Sequence, residues 1–475
     1  MRGTGTLLVL VLALAGCALL TPPTQTEVLN QALPKGTQIP HAWKANAKTG
    51  AVTNDWLKGF NDPVLNAIVA EAMANNLDLR QATDRVAIAR QTLVVVGAQL
   101  LPQLNGQLGY KHTHDFGDES DVRHTFNHTV VSLGAAWELD VWGRLRAQRA
   151  GAVAGYEATA LDYAYARQSL AATVALSWYL TTEAHQLLAL AERATGIYGE
   201  LFRLAQIKQA AGKSSELDVV DARAKLETAQ SDLEAARNNY AEARRALEVL
   251  LGRYPAAEIQ AAATYPPLPP STAAGVPAAL LERRPDIVAA ERVVRAAFRQ
   301  QEAARLTLLP DFSISLTGER VGDHLLRQLK LNPWLASAGI GMTLPIYEGG
   351  ALRAQVKIAT AQQAQAVSKY GSVVLKAFKE VEDAIASEQT LEKRLQYEQL
   401  ALVDSTRAVQ LATVQYQAGK RDLLWVEQLQ TQQLAVEEKV IKLRNEKVTN
   451  RIQLHLALGG SFDTSPSVAE LAGGG

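Results

Sequence analysis

The sequence predicts a mainly α-helical chain made of two copies of a long-helix hairpin unit, each copy carrying two strands suited to a membrane. Three observations predict it. Short motifs recur at a nearly fixed offset: Leu100-Leu101-Pro102 returns 208 residues later as Leu308-Leu309-Pro310. Leu145-Arg146-Ala147-Gln148 returns as Leu352-Arg353-Ala354-Gln355, and Ala211-Gly212-Lys213 as Ala418-Gly419-Lys420, each 207 residues on. Proline is absent from Leu145 to Ala211, some 67 residues, which at ~1.5 Å rise is roughly 100 Å of helix. The runs that follow each Leu-Pro alternate apolar with small or polar residues, the period of a strand with two different faces.

Composition removes several classes of function. The 475 residues carry 48 Lys+Arg against 48 Asp+Glu and one Cys. Zero net charge without a basic block argues against nucleic acid as a partner, because phosphate binding needs clustered Lys and Arg. One thiol cannot build a disulfide framework, an all-Cys zinc site or an iron–sulfur cluster. No Ser/His/Asp or Cys/His arrangement is recognisable, so the chain is not expected to be an enzyme.

Taken in order, residues 1–16 read as an export signal: Arg2 in a basic start, an apolar run from Leu7 to Ala15, then small residues. The run is shorter than the ~20 residues that span a bilayer. Leu14-Ala15-Gly16-Cys17 resembles the lipobox of bacterial lipoproteins, which implies a covalent lipid on Cys17 and, with Ala18 rather than Asp following, the outer membrane. Residues 17–60 are then an N-terminal anchor segment and 61–263 the first repeat. Within that repeat a helix precedes Leu101-Pro102, strand runs cover 103–110 and 131–139, and a long helix turns at Gly212 into a returning helix. Ala222, Ala229, Ala236 and Ala243 stand seven apart in the returning helix, with Leu226, Leu233, Tyr240 and Leu247 in the other seam position. Such a small/large seam suits close helix packing. The prolines of 264–277 forbid helix and mark a linker. Residues 278–460 repeat the order, with strand runs at 312–318 and 338–344, and 461–475 read as a flexible tail.

Strand number carries a stoichiometric consequence. Four strands per chain cannot close a transmembrane barrel, for which about eight is the smallest number, and lipid does not tolerate open edges. Several chains must share one barrel.

With the lipobox, duplication, Leu-Pro strand starts, long helices and Gly hairpin tips together, the chain resembles the outer-membrane efflux protein family, the TolC-like and OprM-like channels, over roughly Asp55 to Leu458. The resemblance implies a homotrimer whose twelve strands form one barrel continuous with a periplasmic α-barrel, with an equatorial collar built from the linker and terminal segments. It implies a passive exit duct for small molecules such as drugs. A periplasmic adaptor protein and an inner-membrane pump, often of the resistance-nodulation-division type, are the implied partners. No phosphate-binding loop is present to supply energy. Type I protein secretion is the alternative within this architecture, and a lipid-anchored coiled-coil envelope scaffold the alternative outside it.

In the family the hairpin tips close the periplasmic end, which places the gate at Gly212 and Gly419. Inward-facing candidates are Leu217, Asp218 and Asp221 in copy one and Leu424, Trp425 and Gln428 in copy two, with Arg421 and Tyr416 as partners for an acidic ring. Ser215-Glu216-Leu217-Asp218 also spells a variant capping box, so Asp218 has a structural reading too. Copy two departs from the family pattern, which often has an acid where Trp425 or Gln428 stands. His112, His114, His124 and His128, with nearby acids, read as a solvated surface loop rather than a metal site. Glu282-Arg283-Arg284-Pro285-Asp286 resembles the family's Arg-Arg-Pro-Asp motif and reads as structural, and Trp137, Trp142, Trp334 and Tyr347 suit either an interfacial belt or core packing.

Overall fold

A computed structural model describes residues 19–45, 47–48, 50–114, 125–322 and 335–461. The lipobox and Cys17, most of the His-rich loop, Trp334 and the tail beyond Ser461 lie outside the described residues. The helices are α1 (Gln25–Ala32), α2 (Pro63–Asn75), α3 (Leu77–Ala98), α4 (Arg144–Ala210), α5 (Glu216–Leu250), α6 (Leu280–Arg283), α7 (Pro285–Leu306), α8 (Ala351–Gln417) and α9 (Leu423–Ala457). The strands are β1 (Gln103–His114), β2 (Thr125–Leu139), β3 (Asp311–Gly322) and β4 (Leu335–Thr343).

The duplication holds in three dimensions. α3 and α7 have 22 residues each, α4 and α8 have 67 each, and α5 and α9 have 35 each. Helix starts are set by side-chain oxygens. Asp140 accepts from the backbone N–H of Leu145 (2.9 Å) and Arg146 (3.0 Å) at the head of α4. Asp62 accepts from Leu65 (3.0 Å) at the head of α2, whose first residue is Pro63. These contacts satisfy donors that a helix N-terminus leaves free.

The chain divides into two compact units. One comprises the described chain up to Lys35, Arg85–Ala160 and Ala289–Ser372. It holds the four-stranded antiparallel sheet in the order β1-β2-β3-β4. Register places Leu104, Leu108 and Tyr110 on the same face as Leu133, Trp137, Ile314, Leu316, Ile340 and Met342. Gln103, Asn105, Gln107, Ser132, Ser313, Ser315 and Ser337 share the other. Leu104 and Leu108 are 68% exposed, Met342 63% and Ile340 83%, so these side chains of the apolar face are left uncovered by the described residues. β1 and β4 each leave one edge unpaired among the described residues. The Trp137 and Trp142 indoles donate to the carbonyls of Leu100 (3.0 Å) and Pro310 (2.8 Å), fixing the strand ends against the Leu-Pro turns while both rings stay partly exposed. Leu20, three residues after Cys17, is held by its N–H to Glu302 (2.6 Å) and its carbonyl to Arg299 (2.7 Å).

The other unit comprises Gly36–Asp84, Leu161–Val288 and the described chain from Val373 on. Its core joins Trp56, Phe60, Leu65, Trp178, Tyr179, Leu247, Leu251 and Ile452. The Pro-rich linker is docked into this unit rather than free. The Trp43 indole donates to the Ala274 carbonyl (3.0 Å), the Ala274 N–H donates to Lys48 (3.1 Å), and Arg451 donates to Pro269. Linker, N-terminal segment and the end of α9 therefore pack as one. Among the described residues no helix is long and apolar enough to cross a membrane.

Candidate functional site

Both hairpin tips use the same backbone device. α4 ends with Gly212 at φ 69° and α8 with Gly419 at φ 70°, the left-handed region where a side chain is costly. The N–H of Lys213 donates to Lys208 and that of Lys420 to Gln415, at 2.8 and 2.9 Å, so the last carbonyls of both helices find donors.

The returning helices start differently. In copy one Ser215 caps α5 and is itself bonded by Asp218: Asp218 N–H donates to Ser215 Oγ (3.2 Å), and Ser215 N–H donates to Asp218 Oδ2 (3.0 Å). The Ser214 hydroxyl adds a 2.6 Å bond to the same oxygen. That hydroxyl, ahead of the Ser215 groups, holds the Asp218 carboxyl below its usual range against an opposing effect of burial. The capping reading of Asp218 is thus realised. In copy two the acid stands at the cap itself, where Asp422 accepts from Trp425 N–H at 3.1 Å. Trp425 and Gln428 occupy the places of Asp218 and Asp221, each 207 residues on.

Within the chain the expected partners do not form one cluster. The Arg421 guanidinium lies over the Trp425 ring at 4.7 Å, a cation–π contact. Tyr416 is 4% exposed and its hydroxyl has no hydrogen-bond partner. Lys208 sits over its ring at 3.4 Å and donates to its carbonyl at 3.3 Å. Burial first, then the charges of Asp218 and Glu427, raise the Tyr416 hydroxyl pKa. Leu217 and Leu424 are 74% and 55% exposed, free to face something outside the chain. Beneath them Ala205, Val219, Ala222, Ala412, Leu423 and Val426 pack the two hairpins together.

Sequence reasoning missed Lys208, Ser214 and Glu427. Glu427 is 1% exposed on α9 and reaches Asp221 on α5. The signal was present, since an acid one turn beyond Leu423, between Val426 and Gln430, falls on the buried seam. Among the described residues no group of three or more His, Cys, Asp or Glu is placed to hold a metal. His112 and His114 belong to β1 and His128 to β2, where it stands opposite Lys111 rather than in a loop, and His124 with Asp115, Asp118, Glu119 and Asp121 lies outside the described residues.

A duplicated pair of 67-residue helices, Gly-tipped hairpins and a two-faced, open-edged sheet define an outer-membrane channel subunit. The chain belongs to the outer membrane efflux protein family, whose model matches it twice, over residues 68–253 and 276–460. It is 30% identical to the pyoverdine export outer membrane protein OpmQ of Pseudomonas putida, over 96% of this chain and 97% of that protein. It is 28% identical to the cation efflux system protein CusC of Escherichia coli K12, over 94% and 97%. The solved outer-membrane channel OprN superposes with a TM-score of 0.80 at 25% identity, covering 91% of this chain and 99% of that one.

Proposed function

We propose that this protein is the outer-membrane exit duct of a tripartite efflux system. Three copies close one twelve-stranded barrel, an adaptor and an inner-membrane pump of the resistance-nodulation-division type deliver small molecules to it, and a lipid on Cys17 anchors each copy. Conduction is passive, and the hairpin tips form the periplasmic closure. The observation that carries this reading is the sheet: among the described residues it has one uncovered apolar face, one polar face and two unpaired edges. Identical neighbours satisfy those edges, lipid takes the apolar face and water the other. OpmQ exports pyoverdine and CusC belongs to a cation system, so the shared architecture does not select a cargo.

The test is direct. Full-length protein, purified from outer membranes in detergent, should cross-link as a trimer, conduct ions in planar bilayers and carry a diacylglycerol mass increment on Cys17. Deletion of the gene should sensitise cells to small toxic compounds. A monomer that never conducts overturns the duct. Loss of polypeptide export with unchanged drug sensitivity replaces efflux by protein secretion.

A further inference from the structure

The two hairpins of one chain meet through a pair of acids. Asp221 projects from α5 and Glu427 from α9, within hydrogen-bonding reach of each other. Glu427 is 1% exposed, and Glu427 Oε1 and Asp221 Oδ2 are both buried with no donor. Two ionised carboxylates in that position have only acceptors to offer, and a buried pair of like charges is strongly disfavoured. One proton between them turns the contact into a hydrogen bond that joins α5 to α9. We propose that Asp221 and Glu427 share a proton that latches the two hairpin tips of each chain, and that rising pH, by drawing this proton off, loosens them.

The surroundings fit a latch. From α5, Asp218 adds negative charge and Lys225 opposes it. From α8, Tyr416 contributes a neutral hydroxyl, and from α4, Lys208 is engaged with the Tyr416 ring and carbonyl. The neighbours on α9, Gln430 and Thr431, are uncharged, with Thr431 bonded to Tyr198 of α4 at 2.9 Å. Burial first, then Asp221, push the Glu427 carboxyl up to about 8. Separated tips would expose it to water at its ordinary value of ~4.3. Closed tips therefore hold the proton and open tips release it, so between ~4.3 and about 8 each pH unit shifts the balance about tenfold toward open.

The regulatory role rests on the duct reading, but the shared proton has its own readout. In full-length trimers, infrared difference spectra at about pH 7, where ordinary carboxyls are ionised, should contain a protonated carboxyl band that disappears as pH passes about 8. Amide exchange at 215–224 and 421–430, corrected for intrinsic rates, should accelerate from pH ~4.3 up to about pH 8 and level off above it. Glu427→Gln supplies a permanent donor to Asp221 and should remove both changes, and Asp221→Asn serves if that variant does not fold. Open probability in bilayers should rise with pH in the native chain and stay flat in Glu427→Gln. No protonated carboxyl at neutral pH, or the same titration in Glu427→Gln, overturns the latch. Absence of current in every form overturns the duct, and the infrared titration still decides the proton.

Discussion

Replacing Arg284 by Met should be among the most damaging single changes outside the apolar core. Arg284 is 2% exposed and its guanidinium makes four hydrogen bonds. Nε and Nη2 bind Asp286 bidentately at 3.0 and 2.7 Å, and Nη1 reaches Glu380 at 2.6 Å and the Ala457 carbonyl at 3.3 Å. One side chain thereby ties the start of α7 to α8 and to the last turn of α9. Burial opposes its charge, but the bonds to Asp286 and Glu380 outweigh that and raise its pKa. Removing one partner of a buried ion pair costs ~3–5 kcal/mol. Asp286 and Glu380 keep 20% and 35% side-chain exposure and regain some water, so the expected loss is about 2–4 kcal/mol. Arg284→Lys keeps the charge without the planar fork and should lose about half as much. The assay is urea unfolding in detergent followed by helical circular dichroism, comparing midpoints at constant slope. A Met variant within ~0.5 kcal/mol of the native chain, or a Lys variant as weak as Met, refutes the reasoning.

Asp62→Ala removes the α2 cap and strands the buried Trp178 indole N–H, which donates to Asp62 at 2.9 Å. A loss of ~2–4 kcal/mol is expected by the same assay, whereas Asp62→Asn keeps one acceptor but turns an NH2 toward the other N–H and should lose ~1–3 kcal/mol. His455 is 3% exposed, and burial, with the nearby Arg451 charge, lowers its pKa from 6.5 to about 4. The unfolded chain binds the proton first, so stability should fall by about 3 kcal/mol as pH drops from 6.5 to about 4. His455→Gln should flatten that profile if the urea midpoint is followed against pH. Asp218→Ala combined with Arg421→Ala should raise single-channel conductance, and unchanged conductance in folded trimers removes both residues from the gate.

The helical frame was legible because proline and glycine punctuate it. The proline-free stretch placed α4 within a residue of its observed limits, and Ala-Gly-Lys located both tips. Strand ends were less legible. β1 runs on to His114 and β2 begins at Thr125, where Lys111 pairs with His128 and His112 with Asn127. A polar stretch hides a ladder that main-chain bonds sustain without apolar side chains. The linker's prolines announced extended chain, but its docking depends on Trp43 and Arg451, each more than 180 residues away from its partner. Pattern along one segment carries no record of such contacts. Glu427 is the opposite case, since its place one turn beyond Leu423, between Val426 and Gln430, marks the buried seam within its own helix, while its partner Asp221 lies on another.

Divergence between the two copies follows the physics of the tip. The features a reversing helix requires are kept twice: a left-handed glycine, a donor to the last carbonyls and an oxygen at the returning helix's cap. What differs is the first turns of the returning helix, where Asp218 and Asp221 of copy one correspond to Trp425 and Gln428 of copy two. Moving the acid from the third position to the cap leaves α9 started by Asp422 and releases position 425 for a ring that Arg421 covers. In the proposed trimer, two equivalent hairpins with two acids each would gather twelve carboxylates at the tips, and their mutual repulsion would grow as the tips approach. With Trp425 and Gln428 in the second pair's places, copy one's six remain, and the proton proposed between Asp221 and Glu427 keeps Glu427 from adding three more.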